Sequence, residues 1–199
     1  MKDPGYVEIF NSIAGVYDKR YGKSCKYAQD LIFKYTKNSN LKPEVILDIG
    51  CGTGALLDAA TKVWSNSVLV GIDPAIKMIN VARERIPTAS LFVNHAEDIP
   101  LQDSSVDLIV STTSFAHWSN QLLGLLEIRR VLSPMGSCII VEHFKPNFLT
   151  RLSLLIINRL ANFPESKDLE KMITNVGFEL IHLKKIKSYL LVHFKHKLS

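Results

Sequence analysis

A doubly wound α/β fold is predicted by three features of this chain. First, five short apolar runs follow one another, VILDIG, VLVGID, LFVNHA, VDLIVS and SCIIVEH, and helical patterns alternate with the first four. Second, strands that are apolar along their whole length are typical of parallel strands covered on both faces. Third, FELIHL and YLLVHF are separated only by KKIKS, too short for a parallel crossover. We therefore expect a mostly parallel sheet of about seven strands with one antiparallel strand near the C-terminus.

The chain opens with a helical segment, residues 1–40, ahead of the regular part. Four of its residues share one helical face, namely Ala28, Leu31, Ile32 and Tyr35, and the polar stretch KNSNLKP ends the helix. We expect this segment to cover the active site.

The other helices are predicted by apolar spacing and by end signals. Ile76, Ile79 and Ile86 recur at helical spacing after the second run. A last helix runs to about Asn175 and stops at Gly177, a natural residue to follow a helix end. Helices should therefore lie on both faces of the sheet.

Composition limits the class of protein. A chain of 199 residues with 47% hydrophobic content can bury one core, so we expect a single domain, residues 1–199. The net charge of +5 is spread along the chain and predicts a solvated surface rather than a nucleic-acid face. Three cysteines without a CxxC pair and an N-terminus without an apolar signal core predict a cytoplasmic protein. No apolar stretch reaches the about 20 residues that cross a bilayer, so we expect no stable membrane insertion.

The stretch VILDIGCGTG places Gly50, Gly52 and Gly54 where a strand turns into a helix, which lets the backbone approach a ligand closely. Asp73 ends the next run about 20 residues later, the expected place for a carboxylate that binds ribose hydroxyls. Together they predict an adenosine-type cofactor on a Rossmann-like sheet. Gly50-x-Gly52-x-x-Ala55 also satisfies the dinucleotide pattern, so a nicotinamide-dependent oxidoreductase is an alternative, as is a tight turn without a ligand.

Asp48 favours a different cofactor. It lies inside the strand, two residues before Gly50, where a dinucleotide site usually has an apolar residue. A buried carboxylate needs a partner, such as loop N–H groups or a ligand ammonium. The residue therefore shifts the balance toward a cationic, phosphate-free ligand.

Four segments resemble, in order and spacing, the successive motifs of class I S-adenosylmethionine-dependent methyltransferases: VILDIGCGTG, VGIDPAIKMINVAR, NHAEDIPLQDSSVDLIVS and RRVLSPMGSCIIVE. The resemblance covers residues 44–195. The opening FNSIAGVYDKRYG is similar to a segment with a Tyr-Asp pair in small-molecule members near the quinone-pathway and biotin-pathway methyltransferases. The resemblance implies S-adenosylmethionine as cofactor and S-adenosylhomocysteine as product.

The resemblance also implies a set of cofactor-binding residues. They are Asp48, Gly50, Cys51, Gly52 and Gly54 on the methionine side, Asp73 at the ribose, Pro74, Met78, His95, Ala96 and Glu97 around adenine, and Ser111 after the fourth strand. Ile76 is a second candidate for packing on adenine, or it belongs to the helix core. His95 stands where the family usually has an aspartate that accepts from the adenine amino group. A neutral imidazole nitrogen can accept the same bond.

Methyl transfer from a sulfonium has a neutral leaving group, so only the nucleophile can need a base. We expect His117, in STTSFAHW, to be the general base, because the ordinary pKa of histidine suits this role at neutral pH. A histidine beside Trp118 at a helix start is also typical of a cap or a packed residue. Tyr17 resembles the family's N-terminal tyrosine, which folds over the methyl group. Glu142 and His143, at the end of the fifth run, are weaker candidates.

Absent motifs narrow the substrate. No Asn-Pro-Pro-Tyr motif follows the fourth strand, and no cluster of acids or histidines has metal-ligand spacing. We therefore expect a small, apolar or aromatic acceptor, no nucleic acid and no metal. Residues 144–165 are expected to form a substrate lid, with peripheral membrane contact as an alternative. A non-catalytic scaffold and an RNA or protein methyltransferase are the remaining alternatives, and the acceptor, the methylated atom and the oligomeric state stay open.

Overall fold

A computed structural model describes residues 5–37, 39–143 and 165–197. In these ranges the strands are β1 Val45–Ile49, β2 Val68–Ile72, β3 Ser90–Phe92, β4 Val106–Thr112, β5 Leu132–His143, β6 Phe178–Ile186 and β7 Tyr189–His196. The helices are α1 Tyr6–Ile13, α2 Tyr17–Thr36, α3 Ala55–Val63, α4 Ile76–Arg85, α5 Gln121–Val131 and α6 Ser166–Asn175, with 3₁₀ turns at Ala14–Val16 and Phe115–His117.

The seven strands form one sheet in the order β3-β2-β1-β4-β5-β7-β6. β1 pairs in parallel with β2 and β4, and its Asp48 lies opposite Gly71 on one side and Val110 on the other. β7 runs antiparallel to both β5 and β6. The predicted doubly wound sheet with one antiparallel strand is therefore confirmed, and its strand order reverses between β1 and β4.

Helices cover both faces of this sheet. On one face, α2, α3 and α4 pack their apolar side chains against residues such as Ile46 and Leu108. On the other face, α5 and α6 pack against residues such as Leu47 and Ile109. Neighbouring residues of one strand thus enter opposite cores, which is why the strands are apolar along their whole length.

Two local predictions are wrong. No helix follows β3, because residues 93–105 form a loop before β4. Ile76 is not part of the buried stripe of α4, since it is 42% exposed while Met78, Ile79 and Ala82 are buried. Ile76 is the first residue of α4 and precedes the part of the helix whose side chains are buried.

Candidate functional site

The carboxyl ends of β1, β2 and β4 meet where the strand order reverses, and ligands bind at such a point in open α/β sheets. The loops that follow these strands line a cavity that is partly open to solvent. Helix α1 contributes Tyr6, Val7 and Phe10 to the cavity wall. Its wall combines apolar and aromatic side chains with a few polar groups, as in small-molecule sites.

The glycine loop between β1 and α3 is held against β2. The Gly50 and Cys51 amides both donate to the carbonyl oxygen of Ile72, at N···O distances of 2.8 and 3.0 Å. Gly50 has a φ of 74°, in the left-handed region, and a Cβ at this position would collide with the side chain of Ser114. Backbone conformation and close packing therefore both require glycine at position 50.

Asp73 joins this loop to the start of α4. Its Oδ2 accepts from the Gly52 amide at 3.0 Å, and its Oδ1 accepts from the Ala75 amide at 2.8 Å. Burial raises the pKa of this carboxyl to about 6, and the two hydrogen bonds oppose the shift. Each carboxylate oxygen can accept more than one hydrogen bond, so Asp73 can also accept from the hydroxyls of a ribose.

Asp48 lies beneath the glycine loop and outside the cavity wall, with only 1% of its surface exposed. Its Oδ1 has no hydrogen-bond partner among the described residues. Burial and the nearby charge of Asp73 raise the pKa of this carboxyl to about 8. Since a buried carboxylate without a partner is costly, a cationic ligand group at the loop would stabilise its ionised form.

The loops after β2 and β3 form a second part of the wall. The predicted adenine-side residues all line it, namely Pro74, Met78, His95, Ala96 and Glu97. Glu97 Oε1 accepts from the Asn120 amide at 2.6 Å, which ties this loop to the start of α5. Ile76 does not line the cavity. The two buried apolar residues of the set, Met78 and Ala96, offer a surface suited to a flat ring.

Four residues predicted to bind the cofactor do not line this cavity: Asp48, described above, and Ser111, Gly54 and Cys51. Ser111 is fully buried in β4, with no partner for its hydroxyl among the described residues, while Thr112 and Thr113 line the wall. Because side chains alternate along a strand, a shift of one residue exchanges the two faces. Gly54 instead precedes α3 with a φ of 78°, and Cys51 faces a second cavity.

This second cavity lies between α2 and α3. Its wall shares five residues with the first cavity: Tyr17, Gly50, Gly52, Thr112 and Thr113. The two spaces therefore meet at the glycine loop, with Tyr17 between them.

Tyr17 and the next residue in the chain, Asp18, are both held in place by contacts with other side chains. Its hydroxyl lies 3.6 Å from the Sγ of Cys25, and burial raises the pKa of the phenol, which keeps it neutral. The next residue, Asp18, accepts from the Thr53 hydroxyl at 2.7 Å and forms an ion pair with Arg85. Sequence reasoning missed this pair because its members lie 67 residues apart.

His117 lines the cavity beside two other rings of its wall. Its ring centroid lies 4.7 Å from that of Tyr6 and 5.4 Å from that of Phe10, both in edge-to-face geometry. Burial and the nearby His143 lower the pKa of the imidazole to about 4. At neutral pH the ring is therefore unprotonated but only weakly basic. Its role as a general base stays a prediction.

Glu142 does not line the cavity, and its carboxylate instead supports a turn that does. Its carboxylate is 1% exposed, and its two oxygens accept from the amides of Ala116, at 3.0 Å, and His143, at 2.7 Å. Burial raises the pKa of Glu142 to about 7. The bond to Ala116 holds the 3₁₀ turn that carries His117. His143 lies outside the wall, with its ring 4.3 Å from that of Tyr189.

The described part of the chain contains no group of three or more His, Cys, Asp and Glu side chains placed to hold a metal ion. None of the helices in these ranges is long and apolar enough to span a membrane. Cys25, Cys51 and Cys138 are all free thiols.

Known proteins are similar to this chain in sequence and in fold. Residues 47–140 match the family described as "Methyltransferase domain". The ubiquinone/menaquinone biosynthesis C-methyltransferase UbiE of Campylobacter jejuni is 27% identical over 92% of this chain and 93% of its own length. A demethylmenaquinone methyltransferase of Thermotoga maritima is 27% identical over 71% of this chain and 62% of its own length.

The fold itself is similar to that of a solved S-adenosylmethionine-dependent methyltransferase of Thermotoga maritima, described as a possible histamine N-methyltransferase. The TM-score is 0.75 at 20% identity, over 96% of this chain and 99% of the other. At this identity the likeness concerns the fold alone. It agrees with the match of residues 47–140, which spans the glycine loop, Asp73 and the strands that carry them.

Asp48 bears on the choice between S-adenosylmethionine and a nicotinamide dinucleotide, since the glycine spacing fits both. Its unpartnered oxygen fits a ligand with a positive charge, and S-adenosylmethionine has two cationic groups, a sulfonium and an ammonium. The sequence relatives point to the same cofactor. The chain is therefore a class I S-adenosylmethionine-dependent methyltransferase.

Proposed function

We propose that this enzyme methylates a small aromatic acceptor of the quinol type, bound in the cavity under α1. The observation that carries the proposal is the aromatic part of the wall, where Phe10 meets both Tyr17 and His117 edge to face. Such a wall suits a flat, apolar ring. The names of the two sequence relatives, both quinone methyltransferases, support the same class of acceptor.

The cofactor is proposed to lie across the glycine loop. When bound, S-adenosylmethionine supplies an electrophilic methyl group on a sulfonium. Asp73 would accept from the ribose hydroxyls, and the adenine ring would lie against Pro74, Met78, His95, Ala96 and Glu97. Gly50 and Gly52 would face the methionine part, with Asp48 supplying negative charge from below. The second cavity offers room for the amino-acid tail.

Positioning is proposed to supply most of the catalysis. The hydroxyl oxygens of a quinol already make a ring carbon nucleophilic, so the protein needs to orient the ring, exclude water and take up the proton that leaves. Tyr17 would pack over the transferred methyl group from its place between the cavities. His117 is the imidazole placed among the aromatic residues of the wall, and we assign it the proton.

The remaining predictions concern the cover and the cellular setting. Residues 5–37 would form the cover, because α1 and Tyr17 contribute to the cavity wall. The predicted lid, residues 144–165, lies outside the described residues except for Glu165. We retain a single domain, and a cytoplasmic location, where free thiols such as Cys51 and Cys138 stay reduced.

The test is methyl transfer to 1,4-dihydroxynaphthalene under anaerobic conditions, read by mass spectrometry of the product. The expected result is one added methyl group on a ring carbon. Gly50→Ala should lose both cofactor binding and turnover, because its φ of 74° and Ser114 exclude a side chain. Gly15→Ala is the matched control, since a Cβ there meets nothing within 4 Å. A wild-type protein that binds the cofactor in calorimetry but yields no methylated ring would contradict the proposal.

A further inference from the structure

Two side chains that line the cavity each carry a buried polar atom without a hydrogen-bond partner among the described residues. These atoms are the hydroxyl oxygen of Tyr6 and the Nδ1 of His117. Tyr6 is only 7% exposed, and both residues line the same cavity. Buried polar groups are nearly always paired, so each such exception calls for a ligand or another explanation.

The two side chains are fixed in place. Their ring centroids are 4.7 Å apart with an interplanar angle of 72°, and Phe10, one helical turn after Tyr6 on α1, packs 5.4 Å from His117. The turn that carries His117 is tied to β5 through the bond from the Ala116 amide to Glu142. Neither group is a loose surface side chain that could find another partner by rotating into water.

Both groups are uncharged at neutral pH. Burial raises the pKa of Tyr6 to about 12, and burial with the nearby His143 lowers the pKa of His117 to about 4. A neutral phenol and a neutral imidazole can each donate or accept one hydrogen bond. They match an uncharged hydroxyl, which also donates one bond and accepts another, better than they match a carboxylate or an ammonium.

We infer that Tyr6 and His117 together bind a hydroxyl oxygen on the aromatic ring of the methyl acceptor. This inference rests on the proposed function and adds the residues that select the acceptor. Tyr6 lies outside every motif considered in the sequence. The polar groups of the cofactor have other candidate partners, since Asp73 and Asp48 lie at the glycine loop and Glu97 lies on the adenine side.

The experiment compares two probes that differ in their hydroxyl groups, 1,4-dihydroxynaphthalene and naphthalene. Each is titrated anaerobically into the protein loaded with S-adenosylhomocysteine, and binding is followed by calorimetry. We expect the wild type to bind the diol about tenfold more tightly than naphthalene. Tyr6→Phe removes one oxygen atom and should reduce this ratio to about twofold or less. Its Tm should equal or exceed that of the wild type, because the lost hydroxyl is unpaired.

Tyr35→Phe is the matched control, because the Tyr35 hydroxyl bonds to His193 Nδ1 at 3.0 Å and does not line the cavity. This variant should keep the wild-type ratio. His117→Phe, which keeps a ring and removes both nitrogens, should lose the ratio as Tyr6→Phe does. It serves as the second variant if Tyr6→Phe does not fold.

The possible outcomes separate this inference from the proposed function. If Tyr6→Phe and His117→Phe both still bind the diol about tenfold more tightly than naphthalene, the inference is overturned, even if the wild type methylates the diol. Weaker cofactor binding with unchanged diol binding also overturns it, because the pair then belongs to the cofactor site. A wild type that binds neither probe contradicts it as well. Tyr6-dependent binding of the diol without turnover supports the inference and contradicts the proposed function alone.

Discussion

Asp18 and Arg85 form an ion pair that joins the first turn of α2 to the last turn of α4. Arg85 also donates to the backbone oxygen of Thr53 at 2.8 Å, and the Thr53 hydroxyl donates to Asp18. The glycine loop, α2 and α4 are thus tied together at one point, next to Tyr17. Helix α2, helix α4 and the glycine loop are therefore held together by side-chain contacts at this point.

Asp18→Asn should loosen this connection. The pair is partly exposed, with 28% and 42% of the two side chains accessible, so we expect a loss of only about 1 kcal/mol in the free energy of unfolding. The Kd for S-adenosylmethionine should rise several-fold, because Tyr17 and Thr53 are less well held. Urea denaturation and calorimetric titration measure the two quantities.

Glu179→Gln is the control, because Glu179 and Lys195 form an exposed ion pair, 3.8 Å apart, on β6 and β7. It should leave cofactor binding unchanged. An Asp18→Asn protein that binds the cofactor as tightly as this control would show that the connection has no functional role.

Asp48 should make both stability and cofactor binding depend on pH. Its pKa is raised to about 8 in the folded protein, from about 4 in an unfolded chain, so the folded state keeps a proton that the unfolded state has released. The contribution of Asp48 to the stability of the ligand-free protein should therefore fall as the pH rises from about 4 through about 8, and it is measured as the difference in the free energy of unfolding between the wild type and Asp48→Asn. The comparison with this variant is needed because Glu142 adds to the trend and His117 opposes it. Asp73 adds a smaller effect of the same sign, which ends near pH 6 because its pKa is raised only to about 6.

Cofactor binding should follow pH in the opposite direction. A cationic ligand favours the ionised carboxylate, so affinity for S-adenosylmethionine should rise about tenfold between pH 6 and pH 8, with release of a proton. Asp48→Asn should abolish the change in this range. Calorimetry in two buffers of different ionisation enthalpy measures the released proton, and a proton count of zero near pH 7 in the wild type would contradict the assignment.

Glu142→Gln should disturb the turn that carries His117. A glutamine keeps one acceptor oxygen but turns N–H donors toward a backbone amide of Ala116 or His143, which leaves a buried donor unpaired. We expect a loss of about 1–3 kcal/mol in the free energy of unfolding. We also expect kcat to fall about tenfold, while the Kd for S-adenosylmethionine stays unchanged.

Steady-state kinetics and calorimetry separate these effects, and Glu179→Gln again serves as the control for the same chemical change at an exposed site. If kcat in Glu142→Gln matched that of the control, Glu142 would be a structural residue only.

The geometry of the glycine loop could be predicted from the sequence because it depends on local features. Gly50 is required by its own backbone angle, and Asp73 reaches the loop from the end of the adjacent strand. Sequence reasoning misplaced Ser111, because a shift of one position along β4 turns a side chain to the opposite face of the sheet. It also misplaced Ile76, because apolar spacing does not show at which residue the buried part of a helix begins.

The N-terminal segment was expected to lie over the site, but the contacts that hold it and the turn at His117 could not be predicted, since they join distant segments. In the sequence Glu142 is a polar residue at the end of a strand like many others. Its role depends on the turn at Ala116, 26 residues away, whose amide it accepts from in the folded chain. Tyr6 carries no motif, and its importance follows only from the lack of a partner in the folded chain. Long-range packing, rather than residue type, defines these roles.

The double hydrogen bond from Gly50 and Cys51 to Ile72 has a consequence for changing what the enzyme methylates. Together with the bond from Gly52 to Asp73, it makes the glycine loop and the end of β2 one rigid unit. Two of the side chains proposed to meet the acceptor, Tyr6 and Phe10, lie on α1, which contributes none of these bonds. Because Val7 and Phe10 also pack with Met78 on the adenine side, Tyr6 is the position in residues 6–10 at which acceptor choice should change with the least effect on the affinity for the methyl donor.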